Sequence, residues 1–153
     1  MSTHARTLSI TTDLHGLDDV RGFVERAAIE LGADPERATD MLVAVNELVT
    51  NIVVHGYGGR PGPIDLLIAP LGADLLVRLG DRAPRFDPTR VPAPRTDLPL
   101  ELRPPGGMGI HLARHFTDEL RYRPRDGGGN ELTLVKRGLL GSSPGEERDG
   151  ADG

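Results

Sequence analysis

Between residues 46 and 57 the chain reads Asn46-Glu47-Leu48-Val49-Thr50-Asn51-Ile52-Val53-Val54-His55-Gly56-Tyr57, an apolar run broken by a carboxylate, a carboxamide and an imidazole at spacings of four. Residues four apart on an α-helix share a face, so Glu47, Asn51 and His55 make a short polar stripe. Such a stripe suits a metal-bound phosphate group. Magnesium takes oxygen ligands in octahedral geometry, with only one or two from the protein and the rest from water and substrate phosphates. Asn51 offers a neutral carbonyl oxygen for that role, and Glu47 a base for the proton of an attacking hydroxyl or water. The same stripe is also what the solvent face of an ordinary helix looks like, so alone it leaves both readings open.

Two further segments carry polar groups at useful places. Asp81-Arg82-Ala83-Pro84-Arg85-Phe86-Asp87-Pro88 follows directly on a predicted strand. An aspartate at a strand end can accept a hydrogen bond from an exocyclic amine, as adenine presents, although Asp and Pro are also ordinary turn residues. Pro104-Pro105-Gly106-Gly107-Met108-Gly109-Ile110 sets glycines just before a predicted helix. Glycine lets backbone N–H groups approach an anion, and the helix N-terminus adds favourable partial charge. The segment lacks the Gly-Lys-Ser/Thr of a P-loop, and no βαβ unit surrounds it as a dinucleotide fingerprint requires. A plain glycine-rich loop is the alternative.

The elements that must position these groups follow from periodicity. Thr7–Thr12 alternates as an opening strand. Val20, Phe23, Val24, Ala27, Ala28 and Leu31 recur at helical spacing up to Gly32, and Asp34-Pro35 starts a second helix that runs to about Gly56. Ile64–Ala69 and Leu75–Leu79 read as a hairpin across residues 70–74. From Asp81 to Gly107 the chain is rich in proline and arginine without periodicity, the character of a functional loop such as a lid. Met108–Phe116 reads as a helix, Glu119–Arg123 as extended and Glu131–Lys136 as a last strand. The expected architecture is α+β: a two-layer sandwich of a mostly antiparallel mixed sheet covered on one face by three helices. One domain over residues 1–137 and a disordered tail over residues 138–153 complete the expectation.

Composition bounds the function. The 153 residues suit one domain, and the net charge of −5 argues against direct nucleic-acid binding. A local basic run (Arg114, His115, Arg121, Arg123, Arg125) reads as solvated surface or as a contact for a protein or anionic ligand. The absence of cysteine removes disulfides and thiolate chemistry. No apolar run approaches the ~20 residues that span a bilayer. A cytoplasmic protein without membrane contact is expected.

The three segments in this order and spacing resemble the N box, the aspartate box and the glycine box of the GHKL ATPases, and most of all the single-domain anti-sigma factor serine kinases of the RsbW and SpoIIAB type. The likeness covers roughly Leu8 to Arg137 and includes the closing Gly129-Asn130-Glu131-Leu132-Thr133-Leu134. It implies the Bergerat fold, with ATP and magnesium as cofactors. Residue by residue it makes Glu47 the general base, Asn51 the magnesium ligand and Asp81 the adenine reader. Gly107 and Gly109 become backbone contacts to the phosphates at the end of a lid from about Thr89 to Pro105, with Met108 and Ile110 beside them. Thr133 matches a position that helps Asp81 hold adenine through water. His55 matches a common family residue without an assigned role.

Where the aspartate box usually reads Asp-x-Gly, Ala83 stands in place of the glycine. A need for positive φ there would make its Cβ cost about 1–2 kcal/mol, and the methyl would crowd the nucleotide, so weakened or re-angled ATP binding is expected. The resemblance implies a serine/threonine protein kinase whose substrate is a STAS-domain anti-anti-sigma protein. The same kinase would sequester a sigma factor, as a homodimer. The alternative is a regulatory module that sequesters a partner without phosphoryl transfer. The catalytic domain of a two-component histidine kinase fits less well, because no dimerisation helix pair with a phospho-acceptor histidine is present.

Overall fold

The structure, a computed structural model, describes residues 4–92, 97–102 and 107–141. Strand β1 (Arg6–Thr12) alternates half-buried and exposed positions, as a strand at the sheet edge should. Helix α1 (Leu17–Glu30) follows a 3-10 turn at Leu14–Gly16 capped by the Asp13 carboxylate, which accepts the His15 N–H at 2.9 Å. It ends in a Schellman motif: Ala33 N–H bonds the Ala28 carbonyl, Gly32 N–H bonds that of Ile29, and Gly32 takes φ 103°. Helix α2 (Pro35–Asn51) has Pro35 in its first turn, where a missing N–H costs nothing. Asp34 is its N-cap by backbone geometry, without a side-chain cap bond.

The hairpin comprises β2 (Gly62–Leu71) and β3 (Asp74–Asp81). Helix α3 (Gly107–Phe116), β4 (Glu119–Pro124) and β5 (Asn130–Lys136) complete the fold. The five strands form one sheet in the order β1-β2-β3-β5-β4. Every pairing is antiparallel, so the sheet is not mixed. Helices α1 and α2 and the Ala113 side of α3 pack with the inward residues Ile64, Leu66, Ile68, Leu75, Val77, Leu79, Leu132 and Leu134 in one hydrophobic cluster. Among the described residues no helix is long and apolar enough to cross a membrane.

One expectation is refined and two more change. The helical run does reach Gly56 as expected, but its last turn, Ile52–Gly56, widens to π geometry with Tyr57 N–H bonding the Ile52 carbonyl. The loop after Asp81 is not wholly structureless, holding 3-10 turns at Pro88–Arg90 and Leu100–Leu102; residues 93–96 and 103–106 of the expected lid lie outside the described residues. The folded unit also does not stop at Arg137. Leu139 is 1% exposed within the core cluster, Leu140 N–H bonds the Ala73 carbonyl, and Asp74 and Arg37 both hold Gly138. The rest of the expected tail, residues 142–153, lies outside the described residues.

Candidate functional site

Glu47 and Asn51 sit half-buried on the last two turns of α2. Neither side chain is hydrogen-bonded by a described residue, which leaves a carboxylate and a carboxamide available. Helix α3 lies against them through its glycine: a Cβ on Gly109 would stand 2.5 Å from Glu47 Oε2. The bare glycine thus lets the first turn of α3 lie close against the carboxylate in this position. Gly107 opens α3, with Met108 next to it, and Ile110 is buried on the same helix. His55 is exposed in the π turn, and its side chain makes no hydrogen bond to a described residue.

Asp81 closes β3 with only 2% exposure. Its Oδ1 accepts the Ala83 N–H and the Asn130 amide N–H, both at 2.9 Å. Burial raises the Asp81 carboxyl above its ordinary range, opposed by the Asn130 and Ala83 hydrogen bonds and by the Arg125 charge. Oδ2 takes no hydrogen bond from a described residue. Since no fully buried side-chain oxygen or nitrogen of the described residues lacks a partner, Oδ2 is not fully enclosed and keeps a small exposed face. A buried aspartate with one oxygen committed and the other partly exposed fits a ligand that donates a single N–H, as adenine's amine does.

The turn beyond Asp81 is held from several sides. The Tyr57 hydroxyl donates to the Pro63 carbonyl at 2.6 Å and accepts the Arg82 N–H at 2.8 Å, and its ring fills the space where Gly62 has no Cβ. Burial, ahead of the other influences, raises the Tyr57 pKa. Arg125 donates to the Asp81 carbonyl at 3.2 Å and to Asp65 at 3.1 Å. Gly129, at φ 103°, packs so that any Cβ would fall onto the Asp81 carbonyl oxygen.

Ala83 does not carry the expected strain. No non-glycine residue among those described has positive φ, so no left-handed backbone is imposed there. Its methyl is buried against the end of the π turn, where a Cβ on Gly56 would lie 2.8 Å from that of Ala83. The room for the methyl comes from Gly56, and the contact ties the end of the N box to the aspartate turn.

Thr133 is not at the site. The register pairs it with Arg78 on β3 and Arg121 on β4, on the sheet face turned away from the helices. Strand residues alternate faces, and Leu132 and Leu134 are the inward pair. The β5 residue paired with Asp81 is Asn130, whose inward parity was legible from Leu132 and Leu134. Tyr57, Tyr122, Asn130 and Gly129 are the site's supporting residues that the motifs did not single out for a role.

The residues suit a shared magnesium better than a protein-only cage. No group of three His, Cys, Asp or Glu that could hold a metal occurs among the described residues. A carboxamide oxygen such as that of Asn51 supplies one ligand where phosphate and water complete the shell.

An antiparallel sheet under three helices, with a carboxylate and carboxamide on α2, a buried aspartate ending β3 and a glycine-opened α3, defines an ATP-binding protein of the GHKL type. Residues 10–136 match the model of the histidine kinase-like ATPase domain, and the chain belongs to that family. It is similar to the serine/threonine-protein kinase BtrW of Bordetella bronchiseptica, at 29% identity over 136 residues covering 88% of this chain and 95% of that protein. It is also similar to an anti-sigma F factor of Bacillus cereus, at 31% identity over 120 residues covering 74% and 80%. An anti-sigma F factor of Clostridium acetobutylicum is 25% identical over 123 residues, covering 78% and 84%.

Proposed function

We propose that the chain is a Mg·ATP-dependent serine/threonine protein kinase that also acts as an anti-sigma factor, phosphorylating a STAS-domain antagonist and sequestering a sigma factor. The observation that carries the reading is the contact of Gly109 with Glu47, which sets a carboxylate beside the first turn of a helix suited to phosphate. The names of the relatives support both halves of the reading, a kinase and an anti-sigma factor. Adenine would be read by Asp81 Oδ2. Gly107, Met108, Gly109 and Ile110 would line the phosphate end.

In the transfer, Glu47 takes the proton of the partner's serine or threonine hydroxyl. That oxygen forms a bond to the γ-phosphorus while the bond from phosphorus to the β,γ-bridging oxygen breaks, and ADP leaves. Asn51 would hold magnesium, which would supply charge neutralisation on the phosphate oxygens. The rest of the rate comes from positioning. A module without transfer drew its support from Ala83, and the methyl's place against Gly56 withdraws that support.

The test is labelling of a STAS-domain protein with γ-labelled ATP by wild type and Glu47→Ala. Labelling by wild type that the variant loses, while still binding ATP, supports the kinase. ATP binding by wild type with no transfer to any STAS partner would overturn it.

A further inference from the structure

We propose that Asn130 makes the site selective for adenine over guanine by committing one oxygen of Asp81 to the protein, so that Asp81 offers a ligand one oxygen rather than two. The inference rests on the nucleotide site described above.

A carboxylate oxygen has two in-plane acceptor positions. On Asp81 Oδ1 both are filled, by the Ala83 N–H and the Asn130 amide. Asn130 cannot turn away. Its own Oδ1 accepts the Tyr122 hydroxyl at 2.7 Å and the Phe86 N–H at 2.9 Å, and its Nδ2 also donates to the Pro84 carbonyl at 3.1 Å. A flipped amide would set its NH2 against the Phe86 donor and its oxygen against Asp81 and Pro84, so the network fixes the orientation. The residue is 5% exposed, which leaves water little room to replace these bonds.

Adenine presents an amine donor next to a ring-nitrogen acceptor, and one free carboxylate oxygen meets that amine. Guanine presents two adjacent, parallel donors, N1–H and the 2-amino group; the two acceptor positions of one oxygen diverge, so both donors are met in line only when each has its own oxygen. With Oδ1 filled, one guanine N–H enters a buried place unpaired, and this weakens binding by about ten- to hundredfold. Asn130 is a positioning residue in this account: it touches Asp81 and sets what Asp81 can accept.

Calorimetric titration of wild type and Asn130→Ala with ATP and with GTP, in excess magnesium, tests the idea. Wild type should prefer ATP by at least about tenfold. The variant reopens one acceptor position on Oδ1, and its ATP-to-GTP affinity ratio should fall about tenfold. Loosening of the loop weakens both nucleotides alike and leaves the ratio untouched, so the ratio separates this role from a merely structural one. If Asn130→Ala does not fold, inosine triphosphate decides the matter in wild type. Hypoxanthine lacks the 2-amino donor and should bind more tightly than guanine. An unchanged ratio in a folded variant, or inosine triphosphate binding no better than GTP, overturns the inference while the ATP site stands. A wild type that binds no ATP overturns both.

Discussion

Replacing Asp81 by asparagine separates what the fold needs from what a ligand needs. In an asparagine whose carbonyl takes the place of Oδ1, the Ala83 and Asn130 hydrogen bonds at 2.9 Å both survive, and an NH2 group stands where Oδ2 kept its exposed face. The fold loses no internal hydrogen bond and sheds a buried charge. Burial holds the Asp81 carboxyl above its ordinary value of 3.8. An acid with a higher pKa folded than unfolded binds more protons in the folded state between the two values. Its contribution to stability is therefore full below the unfolded value, declines as pH rises through the folded one, and stays low above it. Asparagine has no such decline. The variant should melt at or above the wild-type temperature near neutral pH, with the difference closing as pH falls below the ordinary carboxylate value. Nucleotide binding should move the other way. The lost hydrogen bond to a charged acceptor is worth about 1.5–3 kcal/mol, and the amine left facing another donor costs about 1–3 kcal/mol more. At about 1.4 kcal/mol per decade this weakens ATP roughly 10²- to 10⁴-fold. Calorimetry with Mg·ATP beside melts across the acid range reads both arms. Affinity within about threefold of wild type would refute the base contact, and a variant melting well below wild type near neutral pH would refute the claim that the charge opposes folding.

Gly109→Ala places a Cβ 2.5 Å from Glu47 Oε2. The carboxylate swings aside cheaply and alanine gains about 0.5–1 kcal/mol within the helix, so melting should hold or rise while transfer falls about 10²-fold; undiminished transfer would detach Glu47 from the chemistry. Asn51→Ala should remove the magnesium dependence of nucleotide binding, and affinity that responds to magnesium as in wild type would show that the metal sits elsewhere. Leu139→Ala, at 1% exposure, should cost about 2–5 kcal/mol in a denaturant titration. A loss below about 1 kcal/mol would mean that the chain after Arg137 is not part of the folded unit.

The elements whose causes lie within a few residues were legible. Gly32 ends α1 because a left-handed residue is needed there, and Pro35 starts α2 because its fixed φ suits a first turn. Glu47 and Asn51 share a face through helical spacing alone. What escaped depends on partners distant in the chain. Ala83 looked strained against the family pattern because its counterpart, Gly56, lies in another element, and only the fold brings the two together. Leu139 follows the last strand in a glycine-bearing stretch, and what buries it is packing in the main core. The assignment of Thr133 failed for a simpler reason. Period-2 alternation puts Leu132 and Leu134 inward and Thr133 outward, and the same alternation selects Asn130.

The two ends of the proposed site are built on opposite principles. At the base end, Tyr57 holds the Arg82 N–H, Asn130 spans Asp81 and Pro84, and Arg82 itself donates to the carbonyls of Asp126 at 3.2 Å and Gly128 at 2.7 Å. The ordering of this turn is complete in the folded chain, so a base that enters it spends little of its interaction energy on organising protein. At the proposed phosphate end, no described residue hydrogen-bonds the side chain of Glu47 or Asn51, so both are left free to meet a ligand. Substitutions should divide accordingly. Those that loosen the Asp81 turn should act on nucleotide affinity with transfer rate from the bound state little changed, and those at Glu47 or Gly109 should act on the rate with affinity little changed. A Tyr57→Phe variant with unaltered ATP affinity and a lowered rate would break that division.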